Sequence, residues 1–475
     1  MSFKMTKIIA TLGPASGNRK TIDALVKAGV NIFRLNMSHG NYPDLKKWIR
    51  FIRAVEIQQK TVIGILIDLQ GPKIRVGKFQ NGFIHLNPDD ILTFTTRNVT
   101  GSAKLVPIQL AGFSKSVKPG DLVYLNDGSL CVKVKSISGN DVKVQVTVGG
   151  VLSDFKGVNL PDAELTTSPI TAKDKRDLKF GLSEGVDFVG LSFVGSPNDI
   201  HQLRRLIHKA GGDANIIAKI ERKVAVKCYR EIIEAADGVM VARGDLGIEI
   251  PLTQVPVAQQ KILWECATQQ KPAIVATQML ESMVENNRPT RAEVSDISTA
   301  VMGGADAVML SAETATGKYP VGAVRMMAAT AREMEDYQKT HRRILPWQRF
   351  FNEDPPVSQG IAYSANRLVE LLGGRALMVY TKTGGTAMQV ASPKPNVPIF
   401  TFTSVRECAR RMALIRGTVP IIIKSERGFL GDITPFFKKI KETQLLKKGD
   451  RIILTTGIPL GVPQWTNVIR VEEMP

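Results

Sequence analysis

Cysteine is scarce in this chain of 475 residues. Its four cysteines, Cys131, Cys228, Cys266 and Cys408, lie far apart and form neither a CxxC pair nor the spacing of a metal site. This pattern argues against a disulfide framework and against zinc held by cysteine. We expect buried thiols in a protein of the reducing cytosol.

Long apolar runs are also missing. The apolar segment nearest the N-terminus, Ile8 to Leu12, is too short for the core of a signal peptide. No stretch approaches the roughly 20 apolar residues that a membrane-spanning helix needs. The sequence therefore predicts a cytoplasmic protein that has no membrane partner.

Aromatic residues make up only 6% of the chain, whereas the net charge is +19. The part from Leu345 to the end contributes +8 of this charge. No helix-turn-helix, zinc finger or stripe of interleaved basic and aromatic residues accompanies it, which argues against nucleic acid as the main partner. A solvated basic surface explains the charge, and attraction of polyanionic substrates and effectors explains it as well.

A G-x-G-x-x-G loop is absent, so a dinucleotide-binding fingerprint has no support. Instead, a short apolar run that ends in polar residues recurs, mostly followed by helical periodicity. Eight such units, with polar residues at the C-terminal ends of the strands, are typical of an α/β fold of the (β/α)8 or TIM-barrel type. The predicted strands are Lys7 to Thr11, Val30 to Asn36, Thr61 to Asp68, Phe188 to Ser192, Ile216 to Lys219, Gly238 to Ala242, Ala273 to Thr277 and Ala307 to Ser311.

The regular spacing is interrupted once, between the third and fourth predicted strands. This interval contains short alternating strands and turn signals such as Asn126-Asp127-Gly128. We expect an inserted all-β domain, a β-barrel, over residues 71–165, which divides the larger barrel domain into residues 1–70 and 166–344. Since the loops after the barrel strands surround the active site, this insertion would form a lid above it.

Residues 345–475 again alternate helices with strands, which predicts a separate C-terminal α/β domain with a mostly parallel sheet and a regulatory role. One of its loops follows a strand and begins a helix; it consists of Thr381, Lys382, Thr383, Gly384, Gly385 and Thr386. Backbone N–H groups at a helix start can bind phosphate. A plain turn explains the loop equally well, and the sequence leaves both interpretations open.

The most informative segment runs from Ile216 to Pro251. It contains two buried-strand runs that end in charged residues, with an amphipathic helix between them, so Lys219, Glu221 and Asp245 should lie together at the ends of adjacent strands. Carboxylate oxygens suit Mg²⁺, and a fixed ammonium suits the charge that develops on a phosphorylated anion. The three residues indicate a Mg²⁺-assisted reaction on such a substrate, although Lys219 and Glu221 alone could be a solvated ion pair.

Further motifs run through the barrel and lid in order: TKIIATLGPAS at 6–16, RLNMSHG at 34–40, DLQGPKIR at 68–75, KGVNLP at 156–161, KIE at 219–221, MVARGDLGIEIP at 240–251, ATQMLESM at 276–283, PTRAEVSD at 289–296 and MLSAETATGKYP at 309–320. Through these segments the chain resembles the pyruvate kinase family along essentially its whole length, most closely in the barrel and lid. The resemblance implies transfer of the phosphoryl group of phosphoenolpyruvate to ADP and protonation of the enolate to pyruvate, the last step of glycolysis.

The resemblance implies roles for the residues of this site. Glu221 and Asp245 would hold Mg²⁺ or Mn²⁺, and Lys219 would stabilise both the phosphoryl group in transfer and the enolate oxygen. The amides of Gly244 and Asp245 would bind the carboxylate of phosphoenolpyruvate, with the hydroxyl of Thr277 beside them.

The remaining contacts implied by the family involve phosphate and nucleotide. Arg34 would neutralise the phosphate and so take part in catalysis with the lysine and threonine named above. The nucleotide, ADP or ATP, would contact Asn36, His39, Arg75 and the lid residue Lys156. A helix-capping or packing role explains His39 nearly as well.

One segment departs from the family pattern. Much of the family has the sequence DTKGPEIR there and uses it, with an asparagine and a serine, to bind K⁺; in this chain Lys73 replaces the glutamate. The corresponding K⁺ ligands would be Asn36, Ser38, Asp68 and Leu69. Because the ammonium of Lys73 supplies a positive charge, we expect an enzyme of a bacterial type that needs no K⁺.

The resemblance further implies a homotetramer, and the loop at 381–386 suggests a sugar phosphate or nucleoside monophosphate as effector. Two rival functions are considered. A barrel lyase or aldolase would form a Mg²⁺-bound pyruvate enolate without nucleotide, but the inserted lid and Arg75 disfavour it. A basic effector-sensing or RNA-associated protein would not need Lys219, Glu221, Asp245 and Thr277, which are all present.

Overall fold

A computed structural model describes residues 3–38, 40–110, 112–161, 168–341, 355–425, 429, 431–458 and 465–475. Strands and helices are numbered along the chain. Eight parallel strands close into a barrel in the order β1-β16-β15-β14-β13-β12-β3-β2, which confirms the predicted TIM barrel. They are β1 (Lys7–Thr11), β2 (Ile32–Asn36), β3 (Gly64–Asp68), β12 (Phe188–Leu191), β13 (Asn215–Ile220), β14 (Gly238–Ala242), β15 (Ala273–Ala276) and β16 (Ala307–Leu310).

Helices cover the outside of this barrel, so its strands are buried on both faces and read as continuous apolar runs. Several helix starts are encoded locally; Thr290, for example, forms a capping box with Glu293. The helices are α1 (Arg19–Ala28), α2 (Tyr42–Gln58), α4 (Ala172–Ser183), α5 (Pro197–Lys209), α6 (Lys223–Lys227), α7 (Tyr229–Ala235), α8 (Arg243–Glu249), α9 (Val255–Thr268), α10 (Arg291–Met302), α11 (Ala312–Ala315) and α12 (Pro320–Thr340), with 3₁₀ turns at Leu252–Gln254 and Glu281–Val284.

The sequence predicted a single amphipathic helix between β13 and β14, and this prediction is wrong in detail. Two short helices, α6 and α7, take its place. The backbone of Cys228 adopts φ −122° and ψ 33°, outside the helical region, and this interrupts the hydrogen-bond ladder between them. Apolar periodicity alone gave no sign of the break.

The inserted segment, which precedes α4, is all-β in its described residues apart from one turn of helix, α3 (Phe113–Ser116), as predicted. It has its own apolar core. Its strands form one sheet of six and one of two, and single bridges pair Arg75 with Gly157 and Val76 with Ile108. The strands are β4 (Phe83–Leu86), β5 (Ile91–Thr95), β6 (Leu105–Pro107), β7 (Leu122–Leu125), β8 (Leu130–Ser138), β9 (Asp141–Val148), β10 (Gly150–Ser153) and β11 (Val158–Asn159).

The C-terminal part forms a five-stranded sheet in the order β19-β18-β17-β20-β21, in which only β21 is antiparallel. This confirms the predicted α/β domain with a mostly parallel sheet. Its elements are α13 (Val357–Leu371), β17 (Ala376–Tyr380), α14 (Gly385–Ala391), β18 (Ile399–Thr403), α15 (Arg406–Met412), β19 (Thr418–Ile422), α16 (Thr434–Glu442), β20 (Arg451–Thr456) and β21 (Val468–Glu473).

Buried ion pairs join this C-terminal part to the barrel. Glu56 on α2 accepts hydrogen bonds of 3.0 and 2.6 Å from the guanidinium of Arg410 on α15. Lys394, after α14, places its ammonium 2.6 Å from the carboxylate of Asp306, which directly precedes β16. Among the described helices, none has the length and apolar content to cross a membrane.

Candidate active site at the C-terminal ends of the barrel strands

The candidate site is centred on the ammonium of Lys219, near the end of β13. This side chain is almost buried, with 9% of the residue exposed. Its Nζ lies 2.7 Å from Oε1 of Glu221 and 3.4 Å from Oδ1 of Asp68, and it donates a 2.8 Å hydrogen bond to the hydroxyl of Ser192. Three neighbouring strands therefore supply fixed partners for one cation.

Asp68 was expected only as a K⁺ ligand, yet in the structure it belongs to this charged group. Its carboxylate also accepts hydrogen bonds from the guanidinium of Arg34, with Nε–Oδ2 at 2.8 Å. Arg34 in turn donates to the hydroxyl of Thr11 at 3.1 Å. Opposite, a Cβ on Gly190 would lie 3.1 Å from Oδ1 of Asp68, so the absence of a side chain there leaves room for the carboxylate.

The electrostatics of the group favour the charged lysine. Burial opposes the charge, but Asp68 and Glu221 outweigh burial and raise the pKa of Lys219 above its usual value. Burial likewise works to raise the pKa of Asp68, yet Lys219 and Arg34 hold it below the usual range. Both groups are therefore ionised at neutral pH.

Glu221 and Asp245 form the candidate metal pair. Glu221 is 2% exposed and accepts a 2.8 Å hydrogen bond from the amide of Phe193, while Asp245 stands in the first turn of α8. Burial raises the pKa of Glu221, and the negative charge of Asp245 raises it as well. The positive charge of Lys219 lowers this pKa without cancelling the rise. A bound cation would remove that unfavourable pairing of carboxylates.

Hard oxygen ligands of this kind fit a divalent ion such as Mg²⁺. In the part of the chain that the structure describes, no group of three or more His, Cys, Asp or Glu side chains is placed to hold a metal. Two carboxylates suffice as protein ligands for Mg²⁺, because substrate oxygens and water commonly complete its coordination shell.

Thr277 follows β15 in an uncommon backbone conformation. Its φ is +68°, and that of Gln278 is +54°, so two consecutive residues other than glycine occupy the left-handed region. The hydroxyl of Thr277 accepts a 2.8 Å hydrogen bond from the amide of Gly244 and donates to the carbonyl of Ala276 at 2.6 Å. The turn after β15 is thereby joined to the start of α8.

Arg243 was missed by reasoning from the sequence, although it stands directly before Gly244. Its guanidinium donates to the carbonyl of Thr277 at 2.7 Å and to the carboxylate of Asp296 at 2.5 Å. It thus holds the left-handed turn against α8 and α10. A basic residue at the end of a barrel strand, beside the candidate metal ligand, was the signal that could have identified it.

The predicted K⁺ ligands lie close to one another in the fold. Asn36 is the register partner of Asp68 across β2 and β3, and its side-chain oxygen accepts a 3.0 Å hydrogen bond from the amide of Ser38. Leu69 is buried directly after β3. His39, expected at the nucleotide, lies outside the described residues.

The other nucleotide candidates lie where the inserted domain begins and ends. Arg75 donates a 2.8 Å hydrogen bond to the carbonyl of Phe155, and the carbonyl of Lys156 accepts one from the amide that follows Arg75. Lys73 is exposed, and its Cε lies 3.6 Å from the position that a Cβ on Gly157 would occupy. The two segments are thus paired at the base of the insertion.

The candidate effector loop forms an internally hydrogen-bonded turn between β17 and α14. The amide of Gly384 donates to the hydroxyl of Thr381 at 2.8 Å. Gly384 has φ +98°, which favours glycine, and a Cβ there would lie 2.3 Å from the side chain of Met412. The hydroxyl of Thr386 lies 2.9 Å from that of Thr466. Both sequence interpretations of the loop are compatible with this geometry.

Comparison with known proteins points to one family. Residues 3–324 match the model of the pyruvate kinase barrel domain, and residues 359–472 match that of the pyruvate kinase alpha/beta domain. Pyruvate kinases of Thermotoga maritima and Methylorubrum extorquens are 38% and 40% identical to the chain, over 99% and 98% of it and 99% and 97% of their own lengths.

A solved structure leads to the same family. The crystal structure of a pyruvate kinase from Cryptosporidium parvum superposes with a TM-score of 0.94 at 32% identity, and the match covers 99% of this chain and 96% of that one. The chain belongs to the pyruvate kinase family.

Proposed function

We propose that the chain carries out the reaction of its family, transfer of the phosphoryl group of phosphoenolpyruvate to ADP with pyruvate as product, at the group around Lys219. The observation that carries this proposal is the buried ammonium 2.7 Å from Glu221 and 3.4 Å from Asp68 at the C-terminal end of the barrel. A fixed cation in a water-poor site stabilises charge that develops on a transferring phosphoryl group and on an enolate oxygen.

The family uses a divalent metal, and we propose Mg²⁺ or Mn²⁺ held by Glu221 and Asp245. When bound, the metal supplies positive charge that neutralises substrate oxygens. The chemistry of the two carboxylates supports this assignment, because burial and the neighbouring charge raise the pKa of Glu221 and so favour a cation beside it.

The substrate would be oriented by residues of β2, of the start of α8 and of the turn after β15. Arg34 would bind the phosphate, while the amides of Gly244 and Asp245 would bind the carboxylate beside Thr277. The hydrogen bond from the amide of Gly244 to the hydroxyl of Thr277 supports a shared role of these two residues in binding the substrate carboxylate. It holds their polar groups in a fixed position relative to each other.

We assign the nucleotide to the edge of the site nearest the inserted domain, with Asn36, His39, Arg75 and Lys156 as contacts. The hydrogen bond from Arg75 to the insertion supports this, because it fixes a guanidinium where the lid meets the barrel. Lys73 in place of glutamate would make the enzyme one of the bacterial type that works without K⁺.

The chain would act as a cytoplasmic homotetramer, with the loop at 381–386 as the site of a sugar phosphate or nucleoside monophosphate. Its four free cysteines suit a reducing compartment. Light scattering should give a mass near four times the 52.0 kDa of one chain. The proposed domain limits are 1–70, 71–165, 166–344 and 345–475, and the boundaries near 165 and 344 lie outside the described residues.

A coupled assay for pyruvate tests the reaction and separates it from the rival functions. Pyruvate should form from phosphoenolpyruvate only when ADP is present, stop with a chelator, and resume when Mg²⁺ or Mn²⁺ is added in excess. A lyase or aldolase would not respond to ADP, and a protein that has lost catalysis would give no pyruvate. Full turnover in metal-free buffer would contradict the assignment of Glu221 and Asp245.

A further inference from the structure

Arg243 joins the ends of two neighbouring barrel strands. It directly follows β14, whose last residue, Ala242, is the register partner of Ala276 at the end of β15. Its side chain is only 10% exposed and crosses from the start of α8 to the turn after β15. That turn is therefore in contact with a side chain supplied by the adjacent strand.

Each nitrogen of the guanidinium already has an acceptor. Besides its bonds to the carbonyl of Thr277 at 2.7 Å and to the carboxylate of Asp296 at 2.5 Å, it has a longer contact of 3.4 Å from Nε to the carbonyl of Ala276. A substrate oxygen could bind only by displacing one of these groups. The contacts are those of a side chain that positions other protein groups, and Asp296 fixes the direction of the guanidinium.

The turn that Arg243 contacts is strained. Thr277 and Gln278 have φ of +68° and +54°, and for a β-branched residue such as threonine the left-handed region is a genuine outlier. Strained conformations persist only where the surroundings hold them. The guanidinium does so here through two successive carbonyls, that of Thr277 and, at 3.5 Å, that of Gln278.

A second contact holds the far end of the same turn. The amide of Leu280 donates a 3.1 Å hydrogen bond to the carboxylate of Glu313, which is 1% exposed and also accepts from the amide of Ser311. Loss of Arg243 would therefore release the first two residues of the turn while the rest stays anchored. The protein would keep its fold, but the hydroxyl of Thr277 would move.

The position of that hydroxyl is set by consecutive residues of α8. The side chain of Arg243 binds the carbonyl of Thr277, and the amide of Gly244 donates to its hydroxyl at 2.8 Å. The turn also approaches the helix closely, because a Cβ on Gly244 would lie 3.4 Å from the hydroxyl oxygen. Thr277 is thus held by both its backbone and its side chain, and release of one shifts the other.

We propose that Arg243 is a positioning residue for the carboxylate of phosphoenolpyruvate. It keeps Thr277 and Gln278 in the left-handed conformation. It thereby places the hydroxyl of Thr277 beside the amides of Gly244 and Asp245, without touching the substrate itself. This role rests on the proposed function, which assigns the carboxylate to these three groups.

Kinetics of Arg243→Met, with each substrate varied in turn, test the proposal. The kcat/KM for phosphoenolpyruvate should fall about a hundredfold, because displacement of a positioned group by about 1 Å has an effect of that size. The KM for ADP should stay within about twofold of wild type, since the nucleotide is assigned to the edge near the inserted domain. A purely structural defect would instead lower kcat through loss of folded protein and leave both KM values unchanged.

Glycine in the turn provides a rescue that a merely structural residue would not show. Glycine enters the left-handed region without strain, so Gln278→Gly in the Arg243→Met background should restore kcat/KM for phosphoenolpyruvate about fivefold. The matched control is Gln270→Gly in the same background. Gln270 has φ +57° but precedes β15, at the opposite end of the strand. Its replacement should relieve the same kind of strain and restore no activity.

Two further measurements complete the test. Arg243→Lys replaces the planar guanidinium by a single ammonium, so it should lose less than Arg243→Met but with the same selectivity for phosphoenolpyruvate. It takes the place of Arg243→Met in every comparison if that variant does not fold. Denaturant titrations need no activity: the shift of the unfolding midpoint caused by Arg243→Met should be smaller in the Gln278→Gly background than in the wild type.

Each negative result has its own meaning. A wild type that forms no pyruvate would contradict the proposed function, and the unfolding midpoints would then decide the role of Arg243. A kcat/KM for phosphoenolpyruvate within about twofold of wild type in Arg243→Met would overturn the inference. Equal effects of Gln278→Gly and Gln270→Gly, or midpoint shifts that are simply additive, would overturn it as well.

Discussion

At the scale of single residues, the charge of Lys219 depends on groups that lie far apart in the sequence. Glu221 is two positions away, and the KIE segment indicated this pair. Asp68 and Ser192 come from other strands and meet the ammonium only because the barrel closes. Local spacing could not indicate Asp68 as a partner of the lysine, since nothing in the segment around 219 depends on it.

Lys219→Met should lower kcat by about three orders of magnitude while the KM for phosphoenolpyruvate changes little. The ammonium faces charge that develops mainly in the transition state, so its loss affects the chemical step more than binding. Lys227→Met, on the exposed side of α6, is the matched control and should retain normal kcat. A near-normal kcat for Lys219→Met would remove this residue from the mechanism.

The substitution at Lys73 predicts activity without K⁺. In buffer free of sodium and potassium, with a bulky organic cation to keep ionic strength constant, the wild type should be almost fully active. Lys73→Glu should lose most activity and regain it when KCl is added, because a carboxylate there would favour a bound cation. A wild type that stays inactive until K⁺ is supplied would instead restore Asn36, Ser38 and Asp68 as working ligands.

At the scale of secondary structure, prediction from the sequence succeeded for the buried barrel strands and missed two elements of the C-terminal part. The barrel strands are covered on both sides, so each appears in the sequence as an uninterrupted apolar run. β21 was not predicted, because its residues are half exposed and show no continuous run. α16 was also missed, although Phe436, Phe437 and Ile440 are buried at helical spacing and gave a usable signal.

The turn before α14, formed by the loop at 381–386, is predicted to bind the effector. Lys382→Glu combined with Thr386→Ala should abolish activation by sugar phosphates or nucleoside monophosphates, since it replaces a cation by an anion and removes a hydroxyl at a helix start. Assays of activity against effector concentration measure the effect. Lys424→Glu, an equal change of charge at an exposed position after β19, should respond as the wild type does. If no such compound activates the wild type, the loop is a structural turn.

At the scale of the whole molecule, the barrel and the C-terminal part are held together by charges that water barely reaches. Glu56 is 5% exposed and accepts two hydrogen bonds from Arg410. Burial alone would raise the pKa of Glu56, but Arg410 and Arg53 hold it below its usual value. The ionised pair therefore stabilises the folded state near neutral pH.

Glu56→Gln should lower the free energy of unfolding by about 2–4 kcal/mol at pH 7, because it leaves a buried guanidinium without its counter-charge. The folded-state pKa lies below the unfolded one, so the ionised carboxylate stabilises the fold above its ordinary pKa and ceases to do so as the pH falls through the folded value. The difference from wild type should thus shrink below about pH 4 in denaturant titrations.

The exposed change Glu442→Gln on α16 is the control and should cost little at either pH. Equal stability of wild type and Glu56→Gln at pH 7 would show that the pair contributes nothing to joining the two parts.

Closure of the barrel through β1 and β16 has a consequence for synthesis on the ribosome. β1 is among the first residues made, yet one of its two neighbours, Ala307–Leu310, emerges some 300 residues later. At roughly 5–20 residues per second, the nascent sheet keeps one unpaired edge for tens of seconds. During that interval the free edge of β1 is open to pairing with other chains, so the growing chain is more prone to aggregate than the finished barrel.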